Sequence, residues 1–292
     1  MTSMASTSFS LIPASQNHLS EISALIQSAH FFHRHLDWRP VEVWLGCQPF
    51  WLLEAGGEMQ AVLACPPSPT GMYWIRVFAS RALFDPRLHW EMLLQKTLAG
   101  IPFDQGAMLI ALPLDNWFTH LLKTSQFEQH AEIVVLEWND TAAAVPSIPS
   151  IQIQPMNIED VPTIVQIDHD AFEAIWQFSQ EDVERAFRTA FSASVAVWDG
   201  EIVGYQISTA IHDQAHLARL AVLPSMQNRG IGRLLLHNLF QRVQRTTISS
   251  LTVNTQSYNH ASLALYKSMG FKPTGERFPL YLFNPNGVIQ GS

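Results

Sequence analysis

Two stretches of the chain carry residues that could do chemistry together. In Leu217 to Arg245 an apolar run ends at Pro224, and a polar turn leads through Gln227, Asn228, Arg229, Gly230, Ile231, Gly232 and Arg233 into an amphipathic helical pattern. The first turn of a helix has N–H groups without intrahelical acceptors and carries the positive end of the dipole, so it attracts an anion. Gly230 and Gly232 leave the backbone open to a bulky guest, and Arg229 and Arg233 add charge beside it, which suits a diphosphate. Alone, the same residues also describe a tight strand-to-helix turn that binds nothing. In Thr252 to Phe271 a β-branched strand, a polar turn and a helix closed by Gly270 place Asn259, Ser262 and Tyr266 at i, i+3 and i+7, on one helical face.

Taken in order, Q-N-R-G-I-G before a helix and N-x-x-S-x-x-L-Y-x-x-x-G-F after the next strand resemble the acyl-CoA site of the GNAT N-acetyltransferase superfamily, over Ile151 to Phe283. The resemblance implies an α/β (α+β) fold whose mixed, mostly antiparallel sheet is flanked by helices. It implies that Leu220, Ala221 and Val222 line the pantetheine arm of acetyl-CoA and that Gln227 to Arg233 cradle its pyrophosphate. Asn259 and Ser262 then attend the cofactor, Tyr266 protonates the departing thiolate, and a backbone N–H near Ala221 or Val222 receives the oxyanion. The implied reaction is acetyl transfer to a primary amine on a small molecule or peptide. The rival reading is a non-catalytic acyl-CoA sensor that meets a partner. The last third is similar to the ribosomal-protein alanine acetyltransferases, but Asn254 stands where they carry a glutamate, so the general base stays open among Asp168, Glu173, His212, Asp213 and His216.

Composition bounds these readings. Of 292 residues 47% are apolar and 14% charged, which is a globular balance, and the length accommodates two domains. A net charge of −8 disfavours a nucleic-acid partner. Cys47 and Cys65 provide no disulfide framework, and the histidines at 30, 33 and 35 lack accompanying acids or thiols at metal-ligand spacing, so no metal is expected. No apolar run approaches the length of a membrane span, and a cytoplasmic protein, monomeric or weakly dimeric, is expected.

The elements that must position the site recur. Gly57-Glu58-Met59 matches Gly200-Glu201-Ile202 at an offset of 143, and Lys123 to Phe127 matches Lys267 to Phe271 at 144. Two tandem GNAT-like domains are therefore expected: residues 1–140, a linker at 141–150, and 151–292. The first copy reads as degenerate, because Leu122 falls at the place of Tyr266, Asp115 at that of Asn259, and no glycine follows its central strand. That strand is read as a single run from Tyr73 to Ala79, and the helix from Leu19 as running into His30. Ala55 to Glu58 and Asp199-Gly200 are read as hairpin turns.

Overall fold

The computed structural model describes residues 8–35, 39–138 and 148–286. They divide into two compact units: those up to His130 and from Pro279 onward form one, and Ala131–Phe278 forms the other.

The first unit is built from β1 (Phe9–Pro13), α1 (Leu19–Ser28), β2 (Phe31–Arg34), β3 (Phe50–Ala55), β4 (Glu58–Ala64), β5 (Met72–Trp74), β6 (Val77–Ser80), α2 (Arg87–Leu98), β7 (Met108–Ala111), α3 (Asn116–Lys123) and the start of β8 (Phe127–Trp138). Gly56 and Gly57, at φ +60° and +80°, close the β3–β4 hairpin, a backbone twist that glycine adopts without a Cβ penalty. Five strands follow the order β1-β3-β4-β6-β2. Trp90, Phe118 and Phe78 sit fully buried in the core beside them.

Two expectations change here. The run from Tyr73 to Ala79 is two strands, because its halves take different neighbours: β5 pairs in parallel with β7 and β6 antiparallel with β4. At the junction the Ile75 N–H donates to Ile110 and the Arg76 N–H to Ala64, both at 2.8 Å. The histidine-rich stretch does not continue α1. Ala29 turns extended, and Phe31 to Arg34 pairs antiparallel with β6 as Phe31↔Ser80 to Arg34↔Val77.

The second unit contains β9 (Ile151–Pro155), α4 (Val161–Ala171), α5 (Gln180–Arg188), β10 (Ser192–Trp198), β11 (Glu201–Ile211), β12 (Gln214–Val222), α6 (Ile231–Gln244), β13 (Ser250–Gln256), α7 (His260–Ser268) and most of β14 (Lys272–Phe283). Ser179 and Asp182 form a reciprocal cap that starts α5. The sheet runs β8-β13-β12-β11-β10-β9, with β12 and β13 its parallel pair. Leu235, Leu239, Val243, Leu236 and Phe240 of α6 are buried against it, as their spacing requires. Among the described residues no helix is long and apolar enough to cross a membrane.

The compact units do not follow a linear cut at 141–150. Residues 133–138 of β8 pair with β13, and Tyr281 and Leu282 of β14 pair with β7, so each copy's last strand ends in the other copy's unit. Residues 141–147 of the expected linker lie outside the described residues. Ile148 at its end is half-buried in the second unit's core.

Trp138 belongs by sequence to the first copy, yet it is 3% exposed in the second unit's core and stacks on Phe240 at 4.2 Å. Trp138→Ala is expected to destabilise the second unit by about 3–5 kcal/mol, read as a lowered urea midpoint. In the first unit His33 stacks on Phe118 at 4.1 Å, and burial lowers its pKa from 6.5 to about 4. Between those values the unfolded chain binds a proton that the folded chain refuses. Stability is therefore full above pH 6.5 and falls as pH drops, by roughly 3 kcal/mol at pH 4. Urea midpoints of wild type and His33→Phe across pH 4 to 7.5 check this: the variant profile should be flatter.

Candidate functional site

The site is organised by β12. Its parallel ladder with β13 covers only Gln214↔Ser250 to Leu217↔Val253, and then the two strands part. Opposite β11 the register shifts at the same place: Ser208 faces Leu217, Ile207 faces Arg219, and Ala218 is left as a bulge. Leu220, Ala221 and Val222 therefore keep their β11 partners while their other edge has no strand beside it among the described residues. An open edge of this kind offers backbone donors and acceptors to an extended ligand.

The edge leads directly into the loop. Gln227 Nε2 donates to the Val222 carbonyl at 3.1 Å, which folds the turn back onto the strand end. Asn228 takes φ +60° and Gly230 φ +83°, two left-handed residues before α6, with Gly230 as its N-cap. The Arg233 and Leu234 N–H groups both donate to Gly230 O, and those of Ile231 and Gly232 have no intrahelical acceptor. Arg229 and Arg233 are exposed, with Arg229 5.4 Å from the Trp198 ring. Two residues act differently from their sequence rationale. The Ile231 side chain is buried, so only its backbone faces the loop. A Cβ on Gly232 would lie 3.1 Å from Leu265, so this glycine lets α6 approach α7 and joins the two motifs.

On α7, Asn259 is the N-cap: its side-chain oxygen accepts the Ser262 N–H at 3.1 Å. Tyr266 is 5% exposed, one helical turn after Ser262, and burial raises its pKa above the ordinary phenol value. It keeps its proton at neutral pH.

The candidate bases separate on geometry. His212 and Asp213 lie in the β11–β12 turn, at the far end of β12 and roughly 30 Å along the strand from Val222, so they are no longer candidates. Nδ1 of His216 is 2.9 Å from the Thr252 hydroxyl, and burial lowers its pKa to about 4, leaving it neutral and a weak base. Asp168 is fully buried and its carboxylate is saturated. It accepts from Arg219 Nε (2.7 Å), Arg219 Nη2 (2.9 Å), the Tyr205 hydroxyl (2.5 Å) and the Phe178 N–H (2.8 Å). Glu173 is exposed at the head of the short turn Ala174–Trp176.

That saturated cluster was not legible as a unit. The Arg219 guanidinium is bracketed by the rings of Phe172 at 3.6 Å and Phe178 at 4.0 Å, and it also donates to the Trp176 carbonyl. Burial and then the Asp168 carboxylate hold the Tyr205 phenol protonated. Trp176 in turn reaches the Tyr258 hydroxyl at 3.3 Å, just beyond β13. The segment Phe172–Phe178 thus bridges the parted strands, tied to β12 at one side and to the end of β13 at the other.

The first unit repeats this strand arrangement in register. Met72↔Met108, Tyr73↔Leu109 and Trp74↔Ile110 become, on adding 143, Ala215↔Leu251, His216↔Thr252 and Leu217↔Val253, which are the pairs observed in the second. By the same offset β6 corresponds to Leu220 to Leu223. Its outer edge is not open, because β2 is paired along it.

Known proteins are similar to the chain over this region. Residues 161–271 match the Acetyltransferase (GNAT) family. The [ribosomal protein bS18]-alanine N-acetyltransferase of Salmonella typhimurium is 30% identical over 122 residues, 41% of this chain and 79% of that protein. Two solved structures share the fold at 15% identity. The tandem GNAT protein from the clavulanic acid biosynthesis pathway has a TM-score of 0.62, covering 96% of this chain and 100% of that one. The GCN5-related N-acetyltransferase from Sphaerobacter thermophilus has a TM-score of 0.61, covering 94% and 95%.

Gly204, which carries no sequence signal of its own, sets how closely β11 lies against the open strand. A Cβ there would meet the Ala221 carbonyl oxygen at 2.8 Å and Val222 at 3.2 Å, both in the segment that forms the edge. Gly204→Ala is expected to cost about 1–3 kcal/mol, measured by urea denaturation.

Proposed function

The chain belongs to the GNAT acetyltransferase family and is an acyl-CoA-dependent N-acetyltransferase, and we propose that its second unit transfers an acetyl group from acetyl-CoA to a primary amine by direct attack. The observation that carries this reading is the open edge of Leu220 to Val222, running into the left-handed Gly230 and the N-terminus of α6. The edge suits the amides of an extended pantetheine arm. The helix N-terminus, with Arg229 and Arg233 beside it, suits a pyrophosphate. The thioester supplies an activated acetyl carbon.

In this reading the chain's own groups divide the remaining work. Of the two expected donors, Ala221 turns its backbone toward β11, so the Val222 N–H is the one left to face the carbonyl oxygen as negative charge develops on it. The amine nitrogen bonds to the acetyl carbon, the carbon–sulfur bond breaks, Tyr266 gives its proton to the leaving sulfur, and the proton lost by the amine passes through water and restores the phenol. Burial keeps the phenol protonated, so the proton is there to give, and also makes it a weaker acid than a free phenol. Asp168 does not take the amine proton, since its oxygens are fully engaged by Arg219, Tyr205 and Phe178. An alanine amine of a protein or peptide is the first acceptor class to test, because the bacterial relative is named for a ribosomal-protein alanine. For the first copy we propose a non-catalytic role, supported by β2 on the edge that corresponds to the acyl-CoA strand.

Calorimetric titration with acetyl-CoA should find one site per chain, lost in Gly230→Val; two sites would refute the role given to the first copy. Tyr266→Phe should retain acetyl-CoA affinity within about twofold while kcat toward an alanyl peptide or another accepted amine falls about 100-fold or more. Unchanged turnover would remove Tyr266 as the acid.

A further inference from the structure

The same stretch of chain is treated in opposite ways by the two copies. In each, the first long helix is followed by a short apolar and aromatic segment. Residues 31–34 of the first copy correspond, on adding 143, to residues 174–177 of the second. In the first copy this segment is the strand β2, paired antiparallel along the outer edge of β6. In the second it is a bridge, with a short turn at Ala174–Trp176, and the corresponding outer edge of β12 is open. Ala174, Ile175 and Trp176 include types that suit a strand, and an open edge is a ready template for one. Propensity therefore does not account for the difference.

The side chains that anchor the segment do. Arg219 corresponds to Arg76, so the cation is present in both copies. Asp168 corresponds to Leu25, a fully buried aliphatic residue packed in the first unit's core. In the second unit Asp168 fixes Arg219 through both carboxylate oxygens and also accepts the Phe178 N–H. Arg219 then binds the segment on three sides, through the rings of Phe172 and Phe178 and the carbonyl of Trp176. In the first unit the Arg76 guanidinium donates instead to the Ser68 carbonyl and lies 5.0 Å from the Trp44 ring.

We infer that Asp168 and Arg219 are positioning residues for the acyl-CoA slot: their pair holds Phe172–Phe178 as a bridge and keeps it from pairing, as β2 does, along the outer edge of β12. This rests on reading that edge as the acyl-CoA slot. The pair does not touch the reacting atoms. It acts by denying the slot to the chain itself, so its loss turns the second copy toward the arrangement of the first.

The test compares wild type, Asp168→Leu, which installs the first copy's residue, and Arg219→Lys, which keeps the charge but loses the planar fork. Hydrogen exchange without ligand and calorimetric titration with acetyl-CoA are measured on the full chain. In Asp168→Leu the outward-facing amides of Leu220 and Val222 should gain at least tenfold protection and the acetyl-CoA Kd should rise at least tenfold. Arg219→Lys should move both in the same direction by less. Unchanged exchange at Leu220 and Val222 in both variants overturns the inference. So does lost affinity without that gain, or lost protection throughout the second unit, which would mark the pair as core support alone. If wild type binds no acetyl-CoA, the reading of the slot fails, while the exchange pattern still decides what the pair does.

Discussion

A strand that leaves its ladder partway leaves a row of backbone donors and acceptors that something must meet. In both copies the central strand parts from its parallel neighbour after matching pairs, and much else in the fold follows from how that row is handled. In the second unit the bulge at Ala218, the absence of a side chain at Gly204 and the anchoring of Arg219 all act on the stretch of β12 that carries the open edge. The loop with Asn228 and Gly230 begins where the edge ends, so the open strand leads straight to the N-terminus of α6. In the first unit the row is met by β2.

The buried ion pair is suited to its place by more than charge. Removing one partner of a desolvated pair leaves the other uncompensated, and such losses typically cost about 3–5 kcal/mol. Here every carboxylate oxygen of Asp168 is engaged and the guanidinium is enclosed by rings on both faces, so the geometry has little slack. The segment that wraps it carries Trp176 to Tyr258, which links the turn after α4 to the turn before α7.

What could be read from the sequence was local. The hairpins at Gly56-Gly57 and Asp199-Gly200, the glycine loop and the amphipathic face of α6 are written in neighbouring residues, and they stand as read. What could not be read depends on partners far along the chain. Asp168 and Arg219 are 51 residues apart, and nothing near either one announces the other. The break at Ile75-Arg76 has no glycine or proline to mark it; it exists because the two halves of the strand pair with different neighbours. His212 and Asp213 looked close to the chemistry in sequence, but the length of β12 separates them from Val222, where the open edge meets the loop. Asn259 caps α7 and Gly232 lets α6 approach α7, two packing duties that the motifs alone do not announce.

The exchange of final strands has a consequence for the order in which the molecule can be completed. Tyr281, 2% exposed in the first unit's core, is among the last residues of the described chain, whereas most of that unit lies before His130. During synthesis from the N-terminus the first unit must wait, with the β14 side of β7 bare, until nearly the whole second copy has emerged. The second unit, by contrast, finds β8 already made when β13 appears. The copy that comes first in the sequence is thus the one that closes last.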